Sequence, residues 1–315
     1  MGRQLRIGIW NLEPKYRNYA LDKAKHYHSM LGDYIEDNMF MGLNGCDIVY
    51  CSAIFSWTPF SKKYKGLPYP LVQTGGTGFD LTVKMPPEIE NDEPHLNYGF
   101  TTRGCIRKCE FCFVPRKEGE LKIVNDLTDL YDDRKGDEVT LLDNNILAAP
   151  EHFAAICKQA RDRKIKVDFN QGLDHRLLTP EIVDILCSIR HREYRFAFDH
   201  PAYSKSVEKA LRLLQRKGIK RCNWYVLVGY DTTLKQDLFR LNYLRENNQI
   251  AFVQRYRGII KPKIERDNLE LTALARWANQ HHIYRGMTWE QFLKHPDNKR
   301  YKYLLSSPNK GELQE

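Results

Sequence analysis

Three cysteines fall within eight residues: Cys105, Cys109 and Cys112, in the run Thr-Thr-Arg-Gly-Cys-Ile-Arg-Lys-Cys-Glu-Phe-Cys-Phe-Val-Pro over residues 101–115. Thiolates are soft ligands, suited to zinc or to an iron–sulfur cluster. A structural zinc site normally closes with four protein ligands. Three ligands on one tight loop leave a position open, and the open iron of a four-iron cluster can take a substrate or cofactor directly. The loop carries features that suit ligation. Gly104 allows a bend without a Cβ clash. Pro115 is expected to stop the loop from continuing as a regular element. Arg103, Arg107 and Lys108 bring positive charge that favours ionised thiols. The competing reading of the same spacing is a zinc knuckle closed by a distant histidine.

The Cys-x3-Cys-x2-Cys run, with Phe111 in its aromatic position, resembles the cluster motif of the radical S-adenosylmethionine (radical SAM) superfamily. The resemblance implies that Cys105, Cys109 and Cys112 hold a [4Fe-4S] cluster whose fourth iron chelates SAM. It implies reductive cleavage of SAM to methionine and a 5′-deoxyadenosyl radical, which modifies a substrate. Phe111 would lie near the adenine, and a reductase such as flavodoxin or ferredoxin would supply the electron.

Such a loop has to be positioned by its scaffold. From about residue 96, strand and helix patterns alternate. Strands are predicted at 98–103, 138–142, 166–170, 194–198, 223–228 and 250–255. Helices are predicted at 120–132, 150–163, 179–189, 204–217 and 233–247. Thr179 caps one helix with Pro180 in its first turn, and Gly218 closes another. Alternation of this kind calls for a parallel sheet. A doubly wound sheet fits the pattern as well as a barrel does; the resemblance selects a partial (β/α)6 TIM-type barrel over residues 96–260.

In barrels the chemistry sits at the C-terminal ends of the strands. The corresponding positions here are polar: Asp143-Asn144-Asn145, Asn170-Gln171, Asp174-His175-Arg176, Asp199-His200, Gly229-Tyr230-Asp231 and Arg255 with Arg257. The run around Asp143 is similar to second-strand motifs of radical SAM members that include cobalamin-dependent and methylthiolating enzymes. It implies that Asp143, Asn144 and Asn145 receive the SAM ammonium. By the same resemblance Gln171 reaches the SAM ribose or the substrate, Arg176 pairs with a carboxylate, and Asp199 and Gly229 line the cofactor. Arginine suits the carboxylate because its planar fork binds in bidentate fashion. A plain turn or cap explains each Asn or Asp equally well. His175 and His200 are candidates for proton transfer, and Tyr230 is a candidate radical relay.

The flanks are less legible. Residues 1–95 carry strand patterns at 5–10, 47–54 and 71–74 and a helix at 18–31, and resemble a truncated, Rossmann-like cobalamin-binding domain. The expected Asp-x-His-x-x-Gly is absent, since His26 and His28 fall on the predicted helix. Cobalamin is therefore not expected, and the unit is expected to cover the barrel or help to bind substrate. Gly75-Gly76-Thr77-Gly78 could cradle a phosphate, although no P-loop lysine follows. Residues 261–315 are read as a helical extension, with helices at 269–281 and 289–294 and a disordered tail from 306. Arg276-Trp277-Ala278-Asn279 resembles C-terminal extensions of uncharacterised members of the group.

Composition sets outer bounds. The chain has 315 residues with 42% apolar content, enough for one large core and a smaller unit. Cys46, Cys51, Cys157, Cys187 and Cys222 are scattered and read mostly as buried thiols in a reduced, cytoplasmic protein. They form no second cluster, which disfavours sulfur insertion from an auxiliary cluster. No signal-peptide pattern precedes the first strand, and no apolar run reaches membrane-spanning length. A net charge of +9 permits a nucleic-acid or nucleotide partner. Its local groups include Lys62-Lys63-Lys65 and the basic residues within 158–166 and 212–221, which fall on predicted helices and their ends. The expectation is a radical SAM enzyme of unknown substrate. The alternatives are a cobalamin-dependent radical SAM methyltransferase and a non-catalytic zinc or nucleic-acid-binding protein.

Overall fold

The computed structural model describes residues 3–37, 45–59, 72–92, 94–258 and 261–305. It is a mixed α/β protein built on parallel sheets. The N-terminal unit runs β1 (Arg6–Asn11), α1 (Tyr19–Met30), β2 (Tyr34–Asp37), β3 (Ile48–Ser52) and β4 (Val72–Gly75). The strands are all parallel, in the order β2-β1-β3-β4. Asn18 caps α1, its side chain accepting from Leu21 N at 3.3 Å. Leu21 and Ala24 then pack on Ile7, Ile9 and Tyr50 of the sheet.

The larger unit begins with β5 (Tyr98–Gly99), β6 (Thr102–Arg103) and β7 (Lys122–Ile123). It continues as β8 (Glu138–Leu141), α2 (Pro150–Asp162), β9 (Lys166–Phe169), α3 (Pro180–Cys187) and β10 (Arg195–Ala197). It ends with α4 (Ser204–Arg216), β11 (Asn223–Val228), α5 (Leu234–Glu246) and β12 (Ile250–Arg255). Strands β5-β8-β9 and β10-β11-β12 form two parallel sheets. A parallel bridge between Val167 and His191 and a 2.8 Å bond from Leu173 N to Arg195 O join them. Spatial order therefore follows chain order. Parallel strands covered by helices bury long apolar runs. Val139, Val167, Phe196, Trp224 and Val226 share one core with Phe153, Val183, Val207, Leu214 and Leu244 of the helices.

Three helices follow, α6 (Asn268–Ala278), α7 (His281–Gly286) and α8 (Trp289–Lys294), and then a 3-10 stretch at Pro296–Leu305. The Asn279 side chain, just beyond α6, donates to Val253 O at 3.1 Å and accepts from Val253 N at 2.6 Å. One carboxamide thus satisfies backbone groups on the outer edge of β12, which an unpaired edge would leave open.

Several local expectations change. Residues 120–132 are not one helix: Lys122–Ile123 pairs antiparallel with β6, and only a single turn forms at Leu127–Leu130. A reciprocal cap between Asp126 and Asp129 starts that turn late. The strand expected at 98–103 is split, because Thr101 and Thr102 turn their donors toward Asp143. Pro115 does not end the loop in coil. It lies within a helical turn, Val114–Lys117, near the start, where its missing N–H costs nothing. The helix expected at 269–281 breaks after Ala278, where Asn279 turns to the β12 edge. β2 was not read from the sequence; its four residues are short and half-exposed. The tail expected to be disordered from 306 and the Lys62-Lys63-Lys65 group lie outside the described residues.

Candidate functional site

The cysteine loop leaves β6 and is fastened by side chains from the ends of the neighbouring strands. Gly104 has φ +82°, and any Cβ there would run into the backbone of Glu120, so the loop can cross the Gly119–Glu120 segment only with glycine. Cys105 N donates to Gly119 O at 3.3 Å. Asn144, beyond the end of β8, accepts from Gly104 N at 3.0 Å. Asp143 is buried and accepts from Thr101 N (3.3 Å), Thr101 Oγ1 (2.8 Å), Thr102 Oγ1 (2.6 Å) and Thr102 N. Burial pushes its carboxyl above the usual range, against the pull of the threonine donors. Asp143 and Asn144 therefore hold the loop's entry, and their acceptor atoms are already occupied.

Asn145 is buried. Its Nδ2 lies 3.5 Å from Cys105 Sγ and 3.4 Å from Asp174 Oδ2, while its Oδ1 is buried without a donor. Cys105 Sγ also accepts from Arg107 N at 3.3 Å. Asp174 anchors the other side. It accepts from Arg107 Nε at 2.9 Å and from Arg176 Nε and Nη2 at 2.6 and 3.0 Å. Burial raises the Asp174 carboxyl, but the two guanidiniums more than reverse that and leave it below its ordinary value. Arg176 also lies over the Tyr203 ring, 5.0 Å from its centre.

Two of the loop cations are engaged by carboxylates. Arg103 pairs with Glu90 and Glu118, and Arg107 pairs with Asp174. Burial pushes the Cys109 thiol up, with Arg176 opposing, and raises Cys112 to about 11. Cys105 and Cys109 each raise Cys112 further through their charge, so the three sulfurs lie in one another's field. Asp199, beyond β10, acts on both Cys109 and Cys112. Burial lifts its own carboxyl to about 6, against the opposing charges of Arg240 and Arg176. Among the described residues, no three His, Cys, Asp or Glu side chains are gathered closely enough to hold a metal ion. The donor set still suits a thiol-ligated group: three soft ligands share one pinned loop, beside a buried acceptor that lacks a donor.

The remaining expected residues are dispersed. Phe111 meets Tyr230 edge-on at 5.8 Å. Tyr230 is buried, and its hydroxyl donates to Glu110 at 3.4 Å. Gln171 is exposed. Gly229 has φ +84°, and a Cβ there would stand 2.7 Å from Leu271 of α6. Its glycine therefore answers to helix packing. His175 is buried against Trp224 and bonded to Ser206 at 3.0 Å, and burial lowers it to about 4. It is a neutral structural residue near neutral pH. His200 accepts from Ala202 N at 3.1 Å as the cap of a short turn. Two groups escaped the sequence reading. Asp174 stood there only as a polar strand end. Glu13 is buried at the end of β1 and accepts from Ile54 N, Phe55 N and Thr58. Glu13 has no local signal, because its partners are remote in sequence, and for Asp174 only the nearby Arg176 could have been read, since Arg107 and Asn145 are remote.

Gly76 and Gly78 pack against the backbone of Ala53 and Phe55, where any Cβ would clash. Close contact between loops explains this glycine run. The scattered cysteines divide as well: Cys51, Cys157 and Cys222 are buried, Cys46 is half-buried and Cys187 is exposed. Among the described residues no helix is long and apolar enough to cross a membrane. No protein-family model matches the chain, and no curated protein matches it.

Proposed function

We propose that the protein is a radical SAM enzyme with Cys105, Cys109 and Cys112 as the ligands of a [4Fe-4S] cluster. The carrying observation is the position of the cysteine loop. It lies at the C-terminal ends of parallel strands and is tied there by Asp143, Asn144 and Asn145 after β8 and by Asp174 after β9. In this reading the strands in chain order, with their connecting helices, are the wall of a partial (β/α)6 barrel. When bound, the cluster would supply the electron that cleaves SAM to methionine and a 5′-deoxyadenosyl radical.

The chain's own residues divide the remaining work. Asp143 and Asn144 position the loop. The free Oδ1 of Asn145 is the acceptor left for the SAM ammonium, since the neighbouring oxygens are occupied. Asp174 orients Arg107 and Arg176, and the Arg176 charge offsets the burial of Cys109. The N-terminal unit covers the barrel rather than serving a corrinoid. In a sheet of order 2-1-3-4 a ligand belongs in the crevice beyond β1 and β3. Glu13, which is bonded to Ile54, and the glycine run packed on Ala53 and Phe55 stand at those strand ends, which supports the covering role. The unit also reaches both ends of the wall. Tyr98 of β5 bonds Asp22 and lies under Arg17, while Ser56 Oγ donates to Arg257 O, beyond β12, at 3.3 Å.

The test is anaerobic reconstitution with iron and sulfide, followed by dithionite in place of a flavodoxin- or ferredoxin-type donor, SAM, and quantification of 5′-deoxyadenosine. The wild-type chain should form it and Cys109→Ala should not. Normal cleavage by Cys109→Ala, or a chain that retains zinc and loads no iron, would overturn the assignment.

A further inference from the structure

Aromatic rings and two arginines collect where the loop after β3 meets the end of β12 and the chain beyond it. The Phe55 and Trp57 rings stack at 4.8 Å with 15° between their planes. Tyr16 meets Phe55 edge-on at 5.4 Å. Trp57 is 51% exposed and Tyr16 55% exposed, so about half of each aromatic residue is left in water. The Arg257 guanidinium stands 5.5 Å from the Trp57 ring centre. Arg255 donates to the neutral Thr272 Oγ1 at 2.7 Å. Among the described residues neither arginine meets a carboxylate. Burial first, and the Arg257 charge second, lower the basicity of Arg255. Two like charges held together without a counter-ion cost stability unless an anion joins them.

The patch is also continuous with the cysteine loop. Tyr256, between the two arginines, meets Tyr230 at 4.9 Å, and Tyr230 meets Phe111 at 5.8 Å.

We propose that this patch binds a single-stranded segment of nucleic acid, with a base stacked on Trp57 and backbone phosphates on Arg255 and Arg257. Every nucleobase offers a flat π-face, and rings beside a cationic track are how single strands are held. A duplex hides those faces within its own stack. A lone mononucleotide would leave part of the rings and one of the cations unused. An apolar protein surface would leave both arginines uncompensated. The net charge of +9 points the same way. The Tyr256–Tyr230–Phe111 line then runs from the bound strand toward the cysteine loop.

The proposal rests on the radical SAM reading only in treating the strand as substrate. Its test reads binding and not turnover, so each can fail alone. Fluorescence anisotropy of the full chain, without cluster, would use labelled single-stranded oligonucleotides on the order of 10 nucleotides long. Trp57→Ala should weaken binding about 5- to 100-fold. Arg257→Gln should lower the slope of log affinity against log salt by about 0.7. Phe239→Ala, which removes an exposed ring on α5 that packs on Tyr243, should change nothing. Thermal melts establish that each variant is folded. Three results would overturn the proposal: no binding by the wild-type chain, equal binding by folded Trp57→Ala, or a mononucleotide or blunt duplex competing as well as the single strand.

Discussion

Asp237 and Arg240 are fully buried on α5, and their removal should be among the costliest changes in the larger unit. Asp237 accepts from Thr232 Oγ1 at 2.7 Å, from Arg240 and from Arg266. Arg240 donates onward to Phe198 O at 2.6 Å and Leu227 O at 2.8 Å, which ties the ends of β10 and β11 to α5. Arg266 pairs with Glu270 and so brings in α6. Replacing the whole network by apolar groups could be neutral, but breaking one partner of a buried ion pair costs about 3–5 kcal/mol. In Asp237→Ala, Arg266 keeps Glu270 and Arg240 keeps two carbonyls, which places the loss at the lower end, about 3 kcal/mol. That is a large share of a typical total stability of about 5–15 kcal/mol. Urea unfolding followed by the fluorescence of the buried Trp224 and Trp277 measures it by linear extrapolation. Arg240→Met should cost a similar amount. The double variant Asp237→Ala with Arg240→Met should recover at least about 1 kcal/mol relative to the sum. A loss below about 1 kcal/mol for Asp237→Ala, or strict additivity, would refute the account of a coupled buried network.

Two further predictions concern the candidate site. Gly104→Ala combines a positive φ with a clash against the Glu120 backbone, so the loop cannot close as it stands. Iron bound after reconstitution should fall severalfold while the melting temperature of the larger core changes little; unaltered iron content would show that the loop closes another way. Asp199 has a carboxyl raised from 3.8 to about 6, so the folded chain holds this proton more tightly than the unfolded chain does. Its ionisation therefore costs stability, and the cost grows between pH 3.8 and about 6 and is constant above. Asp199→Asn should stabilise the cluster-free protein by about 1–2 kcal/mol at neutral pH, allowing for its partial exposure, and by less near about pH 4.5. Equal melting shifts at both pH values would rule out the ionisation as the cause.

The sequence by itself determined the alternation of β and α, because apolar runs of strand length stand between helices with explicit caps. Thr179, which caps α3 by accepting from Ile182 N, is one such signal, and the bounds of β11 and β12 follow from runs of apolar and β-branched residues. The spacing of Cys105, Cys109 and Cys112 likewise marked the loop, since ligand spacing is local information. What each polar strand end does was decided only in three dimensions. Asp143 looked free to meet a ligand until Thr101 and Thr102 turned toward it, and Gly229 looked like a ligand contact until Leu271 arrived from α6. The helix expected over 120–132 gave way because the cysteine loop needed that stretch as its partner in a two-stranded ribbon. The Trp57–Arg257 patch joins residues from the first and the larger unit, and no local pattern marks it. Propensity and periodicity act over a few residues, whereas hydrogen-bond satisfaction, steric exclusion and charge pairing depend on groups that only the folded chain brings within a few ångströms.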